Sequence, residues 1–263
     1  ELAYTDNLEG ESDELTLTFE DISGKWVRQW YPTQGDKLKA AIGYKGAQLA
    51  DIGAFEIDEV EYNYRPSYIQ IKALSTGIGK ANRTLTPKSY ENTTLKQIAG
   101  IIAEKLKLKM VGVIKPIPIK RVTQYQERDV EFLARLAREY HHSFKIVSDQ
   151  LVFTDKDELG KEEAVAALEE RDTISITLRD RIKDTAKEVD VSGYDATGKK
   201  VIKKRKKAKP LREKMKQAQS ASGDTLKIVT RGETQEQIDA RADAALAEQN
   251  EDQTAGNIML VGN

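Results

Sequence analysis

Within roughly the first eighty residues, apolar side chains recur at every second position in several short runs, and the region reads as antiparallel β. Leu15, Leu17 and Phe19 alternate with Thr16, Thr18 and Glu20, the period of a half-buried strand whose successive side chains point to opposite faces. Leu38, Ala40, Ile42 and Tyr44 repeat the pattern before a turn at Lys45-Gly46. Phe55 and Ile57 share one face, but Val60 and Tyr62 have the opposite parity. A one-residue slip near Asp58-Glu59 therefore predicts a β-bulge, which bends a strand and helps a small sheet curl. Ile69, Ile71 and Ala73 resume the alternation. Several short strands joined by turns predict a barrel or sandwich.

The period then changes to that of a helix. Leu95, Ile98, Ile102 and Leu106 lie at helical spacing behind a capping box formed by Thr94 and Gln97. Gly100 sits inside this helix, at about 1 kcal/mol against alanine. A stretch with Pro116 and Pro118 must be extended. A second helix is expected from Asp129 to Tyr140, with Phe132, Leu133, Leu136, Ala137 and Tyr140 on one stripe, then a hairpin of Phe144–Val147 and Leu151–Thr154 around Ser148-Asp149. Residues 156–171 are charged and alanine-rich, a short surface helix or a linker. Strand signals return at Ile174, Ile176 and Leu178, at Val189 and Val191, and at Leu226 and Ile228. A third helix, Thr234 to Gln249, carries a second capping box (Thr234, Gln237), and Asn257 to Val261 reads as a strand.

Composition narrows the chemistry. No apolar run approaches the roughly 20 residues that cross a bilayer, so a soluble chain is expected. Cysteine is absent, which removes disulfides, thiol nucleophiles and sulfur-ligated metals and suits a reducing cytoplasm. The net charge of −1 hides an asymmetry: residues 199–216 hold eleven basic residues against one Glu, +10 locally, which leaves −11 on the rest. The chain opens at Glu1 within strand-like sequence and is read as part of a longer one.

The motifs that might carry catalysis or metal binding fail on inspection. Gly77-Ile78-Gly79-Lys80 lacks the third glycine and the helix of a phosphate loop, since Thr84-Leu85-Thr86-Pro87 follows; a turn is expected. His141-His142 are the only histidines and read as a polar helix C-terminus, where the charged form is favoured by the dipole. Asp155, Asp157 and Gly160 lack the remaining ligands of a calcium loop. No G-x-S-x-G elbow is present. No catalytic, cofactor-binding or metal-binding residue is assigned, and no enzyme is expected. The basic segment could contact phosphates, but it holds no aromatic residue to stack on bases. Lys199–Lys206 could be the return strand of a hairpin after a turn at Asp195–Gly198. The favoured reading is a solvated, partner-docking loop with Lys203, Lys204, Arg205, Lys206, Lys207, Lys209 and Arg212 as its contacts.

One ordered set of segments goes further. Glu11-Ser12-Asp13-Glu14-Leu15 to Asp21, Gly35-Asp36 to Gly46, Gly53-Ala54-Phe55-Glu56-Ile57-Asp58-Glu59-Val60, Tyr90 to Leu95, Asp129 to Ala137, Phe144-Lys145, Leu151-Val152-Phe153 and Leu260-Val261-Gly262 together resemble the phage late-control protein D family. Arg128 stands where that family often has serine, a weaker helix cap. The family is similar to the contractile baseplate hub and to the base of type VI secretion spike proteins.

The resemblance implies an α+β, mainly β fold with two tail-tube-like β-barrels and a helix-plus-hairpin connection. Residues 1–88 would form the first barrel, lacking its N-terminal strand; 89–172 the connection; and 173–263 the second barrel with the basic loop, lacking its C-terminal strands. It implies a homotrimer that adapts a sixfold tail tube above to a threefold spike below, in the baseplate of a phage tail or related injection particle assembled in the bacterial cytoplasm. DNA or effector would pass through without specific binding, and the chain would not insert in a membrane. Part of the acidic body would face the channel and repel DNA. The alternatives are a nucleic-acid-binding protein acting through 199–216 and a cell-wall-degrading tail enzyme.

Overall fold

The computed structural model of the chain describes residues 1–75, 85, 87–147, 149–180, 188–195, 198–207, 225–251 and 254–260. The fold is α+β and mainly β, with curled sheets forming a half-barrel. Contacts divide the chain into two units: Glu1–Leu85 with Ile102–Val111 and Phe144–Val152, and Thr86–Ile101 with Gly112–Ser143 and Phe153–Asn263.

The first unit is built on β1 (Leu2–Thr5), β2 (Glu14–Glu20), β3 (Lys37–Ile42), β4 (Ala50–Asn63) and β5 (Tyr68–Ser75). They form an antiparallel sheet in the order β1-β2-β5-β4-β3. The alternating residues Leu15, Phe55, Ile57, Ile71 and Ala73 form its buried cluster, with Phe19 and Trp26 packed against it. The parity slip has the expected cause: the β4–β5 register shifts between Ile57 and Glu59, leaving Asp58 as the extra residue of a bulge. The turn at Lys45-Gly46 is also present, with Gly46 at φ +90°, a conformation that only glycine adopts cheaply. Beyond β2, Asp21 accepts from the backbone N–H groups of Trp26 and Val27, folding the next loop so that Trp26 stacks on Phe19 with ring centroids 4.6 Å apart.

The middle of the chain contains β6 (Lys88–Thr94), α1 (Leu95–Leu106), β7 (Lys109–Val111), β8 (Pro118–Gln124), α2 (Asp129–Glu139), β9 (His142–Val147), β10 (Gln150–Asp155) and the single turn α3 (Lys156–Leu159). The first capping box forms as its sequence requires: Thr94 N donates to Gln97 Oε1 at 3.0 Å, and Gln97 N donates to Thr94 Oγ1 at 3.2 Å. In α2 the stripe Phe132, Leu133, Leu136 and Ala137 is buried, and Phe132 stacks on Tyr90 of β6 at 5.5 Å. Strands β6 and β8 pair antiparallel, whereas β7 and β10 pair in parallel.

The start of α2 is only half capped. Glu131 Oε2 accepts from Arg128 N at 2.9 Å, but a guanidinium has only donors and cannot accept from the helix's third N–H. Arg128→Ser supplies the missing acceptor and should add about 1 kcal/mol, read as a higher urea midpoint. The lost Arg128–Glu131 contact is half-exposed and contributes little.

The last part holds β11 (Thr173–Asp180), β12 (Glu188–Asp195), β13 (Lys200–Lys207), β14 (Thr225–Arg231), α4 (Gln235–Glu251) and β15 (Thr254–Leu260). β13-β12-β14 make one sheet and β11-β15 another. Here β12 pairs antiparallel with β13 but parallel with β14. α4 lies on the β12–β13 face, closing a cluster of Val189, Val191, Ile202, Ile238 and Ala242. The turns expected at 77–80, 148–149 and 195–198 fall wholly or partly outside the described residues, as does Val261.

Candidate interaction surface

The basic segment begins as a strand. Lys203, Lys204, Arg205, Lys206 and Lys207 lie on β13 in register with Ser192, Val191, Asp190, Val189 and Glu188 of β12. The hairpin reading of Lys199–Lys206 thus holds over Lys200–Lys207, and the loop designation of those five residues is corrected: backbone pairing along the whole hairpin fixes them, and Ile202 anchors the strand in the core. Lys209 and Arg212 lie outside the described residues.

Strand alternation sorts the cations into two sets. Lys204 and Lys206 share the face of Ile202 and meet α4, where Lys204 Nζ is 3.5 Å from Asp239 and Lys206 pairs with Asp243. The match is geometric, because two residues along a strand span about 6.7 Å and four along a helix about 6.0 Å. On the opposite face, Arg205 pairs with Asp190 at 3.0 Å. Lys207 makes no ion pair among the described residues. Sequence reading missed Asp239 and Asp243; their i, i+4 spacing facing Lys204 and Lys206 at i, i+2 was the available signal.

Beside this strand lies a cavity of about 720 Å³. Ala240, Ala244 and Ala247 of α4 form one side, and Lys115, Lys206 and Lys207 lie around it. Lys115 sits 2.7 Å from the fully buried Asp155 and 2.9 Å from Asp157. Burial pulls the Lys115 pKa down, but these two carboxylates more than offset it and the net shift is upward. Asp155 also caps α3 by accepting from Asp157 N at 2.9 Å, so Asp155 and Asp157 hold a lysine and a helix end. Among the described residues no group of three His, Cys, Asp or Glu could hold a metal ion, and no helix is long and apolar enough to cross a membrane.

The histidine pair needs a correction. His142 is the first residue of β9 and almost fully buried, so it is not a charged helix end. Its Nε2 accepts from Lys115 N at 3.3 Å, which puts the proton on Nδ1, 2.7 Å from the Tyr140 carbonyl. Burial pushes its pKa down. In a pH titration followed by NMR, His142 should protonate below the ordinary value of about 6.5. Because the unfolded chain takes that proton first, the corresponding stability is present above that value and is lost as the pH falls through it.

A second network joins α2 to α4. Arg241 lies 2.8 Å from Glu139 and 2.7 Å from Glu233, with its guanidinium over the Tyr140 ring. Gln237 closes the second capping box with Thr234 and also accepts from Lys120 N at 3.0 Å. Among the described residues this region is braced by paired charges, some of them buried.

The fold is similar to that of solved tail proteins. The chain superposes on a tail protein of Neisseria meningitidis MC58 with a TM-score of 0.68, at 10% identity, over 98% of this chain and 75% of that one. It superposes on the 43 kDa tail protein of prophage MuSo2 from Shewanella oneidensis with a TM-score of 0.66, at 18% identity, over 99% and 78%. In sequence it is 30% identical over 154 residues to the "Probable baseplate hub protein" of Escherichia phage 186, covering 58% of this chain and 39% of that protein. The chain thus spans about two-fifths of the curated relative it matches. No family model matches it.

Proposed function

We propose that the chain is part of the baseplate hub of a contractile phage tail or related injection particle, where it has a structural role. The observation that carries this reading is the 30% identity over 154 residues with the phage 186 hub protein. The tail-protein fold along nearly the whole chain agrees with it. In this reading residues 1–88 and 173–263 are two barrel domains joined by 89–172, and three copies present six similar units around one axis. A threefold ring of paired barrels can then seat a sixfold tube on one side and a threefold spike on the other. The acidic remainder of the chain would line a channel through which DNA or effector passes without sticking.

The basic strand weighs against nucleic-acid binding, because Lys204, Arg205 and Lys206 are committed to carboxylates of the same chain. The test is co-expression of the full chain with the tube and spike proteins of its own particle, followed by native mass spectrometry and electron microscopy. A threefold complex carrying both partners is expected. A chain that stays monomeric and retains neither partner overturns the proposal.

A further inference from the structure

One end of the first unit's sheet carries two loops of matching composition. Residues 22–35, between β2 and β3, and residues 62–68, at the β4–β5 turn, contain no Asp or Glu but hold Lys25, Arg28 and Arg65. The loops are tied at their base. Asp21 N donates to the Ser67 carbonyl at 3.0 Å, and Ser67 Oγ donates back to the Asp21 carbonyl at 2.9 Å. On them Ile22 is 87% exposed, Tyr64 69%, Trp30 54% and Tyr31 52%.

The longer loop is held in one shape. Asp21 accepts from Trp26 N and Val27 N, and Trp30 meets the stacked Trp26 edge-on, with ring centroids 5.7 Å apart and planes at 81°. Asp36 accepts from Thr33 N, so the carboxylates at both ends of the loop are turned to its backbone. Glu20 falls on the opposite sheet face from Phe19 by strand alternation. Among the described residues Lys25, Arg28 and Arg65 make no ion pair. Lys25 and Arg65 instead rest over the rings of Trp30 and Tyr64, at 5.1 and 5.3 Å, an attraction supplied by the ring quadrupole.

Exposed Trp and Tyr beside Arg have the composition of an interface centre, and a loop already held in shape loses little freedom on docking. Charge selects the partner. Three cations with no acidic residue in either loop attract carboxylates and disfavour a cationic surface. Nucleic acid would need open ring faces for stacking, but Lys25 and Arg65 already lie over two rings, and three cations offer few phosphate contacts. We propose that this end of the sheet docks an acidic protein surface, carried by a different protein of the same particle, that sets carboxylates around a small apolar patch. Trp30 and Tyr31 meet the patch, and Arg28 and Arg65 pair with the carboxylates. The inference rests on the hub reading and names one of its contacts.

The test uses the full chain co-expressed with the tube and spike proteins of its own particle. A photo-crosslinking residue at position 31 should join it to one of them, at a segment rich in Asp and Glu. Trp30→Ala should weaken capture of that protein about thirtyfold, the loss of a central interface aromatic. Arg28→Glu with Arg65→Glu should weaken it about tenfold, and carboxylate-to-lysine changes in the mapped segment should restore it. Lys96→Glu, exposed at the start of α1, should change nothing. Circular dichroism and urea unfolding confirm that each variant is folded. A crosslink to a second copy, or binding of a labelled single-stranded oligonucleotide that Trp30→Ala abolishes, overturns the acidic-protein partner. Tube and spike retained without a crosslink and unaffected by these variants overturn the docking contact and leave the hub reading standing. A chain that retains neither partner overturns both.

Discussion

Replacing Arg241 with alanine should lower the free energy of unfolding by about 3–5 kcal/mol, the effect of removing one partner from a buried ion pair. The Arg241 side chain is 16% exposed, and Glu233 beside it 9%. Glu139 keeps a second partner, Arg135, at 3.1 Å, so the unpaired charge left behind falls mainly on Glu233. Burial already pushes the Glu233 pKa up, with the Arg241 charge pulling it part of the way back. Without the guanidinium it rises further. A carboxyl whose folded pKa lies above its unfolded value contributes stability below the unfolded value and loses it as pH rises through the folded one. The deficit should therefore be larger at pH 8 than at pH 5. Urea denaturation at the two pH values reads both quantities, and a loss under about 1 kcal/mol without pH dependence would show the network to be an ordinary surface pair.

Why could the sequence announce some of these elements and not others? Both capping boxes were legible because a threonine and a glutamine three residues apart satisfy each other locally, and both form. The bulge at Asp58 was legible because side-chain parity reports register directly. Parallel pairing of β12 with β14, and of β7 with β10, left no such trace, since periodicity describes one strand and not its neighbour. The basic segment was legible as the return strand of a hairpin, but its partners were not, for the same reason. A run of cations looks solvated one residue at a time, and only the hairpin places Lys204 and Lys206 against Asp239 and Asp243. His142 misled through its neighbour: His141 takes φ +56°, and this turn sends the next residue into a buried strand instead of extending the helix end.

Gly112 offers the sharpest separation between a glycine that is required and one that is merely tolerated. It adopts φ +121°, and a Cβ there would lie 2.3 Å from the Phe153 carbonyl oxygen and 2.8 Å from its carbon. Both are backbone atoms of β10, so no rotamer change relieves the clash. The two strands are also tied just beyond this point, where Val113 N donates to Thr154 Oγ1 at 3.3 Å and Asp155 N donates to the Val113 carbonyl at 2.8 Å. Moving the strands apart breaks these bonds and draws Lys115 away from buried Asp155. Gly112→Ala should therefore cost roughly 3–5 kcal/mol, backbone strain and overpacking together. Gly100→Ala is the contrasting case, because the added methyl meets nothing within 4 Å and the residue sits inside α1. It should gain about 0.5–1 kcal/mol from helix propensity alone. Thermal and urea unfolding of the two variants should move in opposite directions; a tolerated Gly112→Ala would mean that the close approach of these strands is not what fixes the Lys115–Asp155 pair.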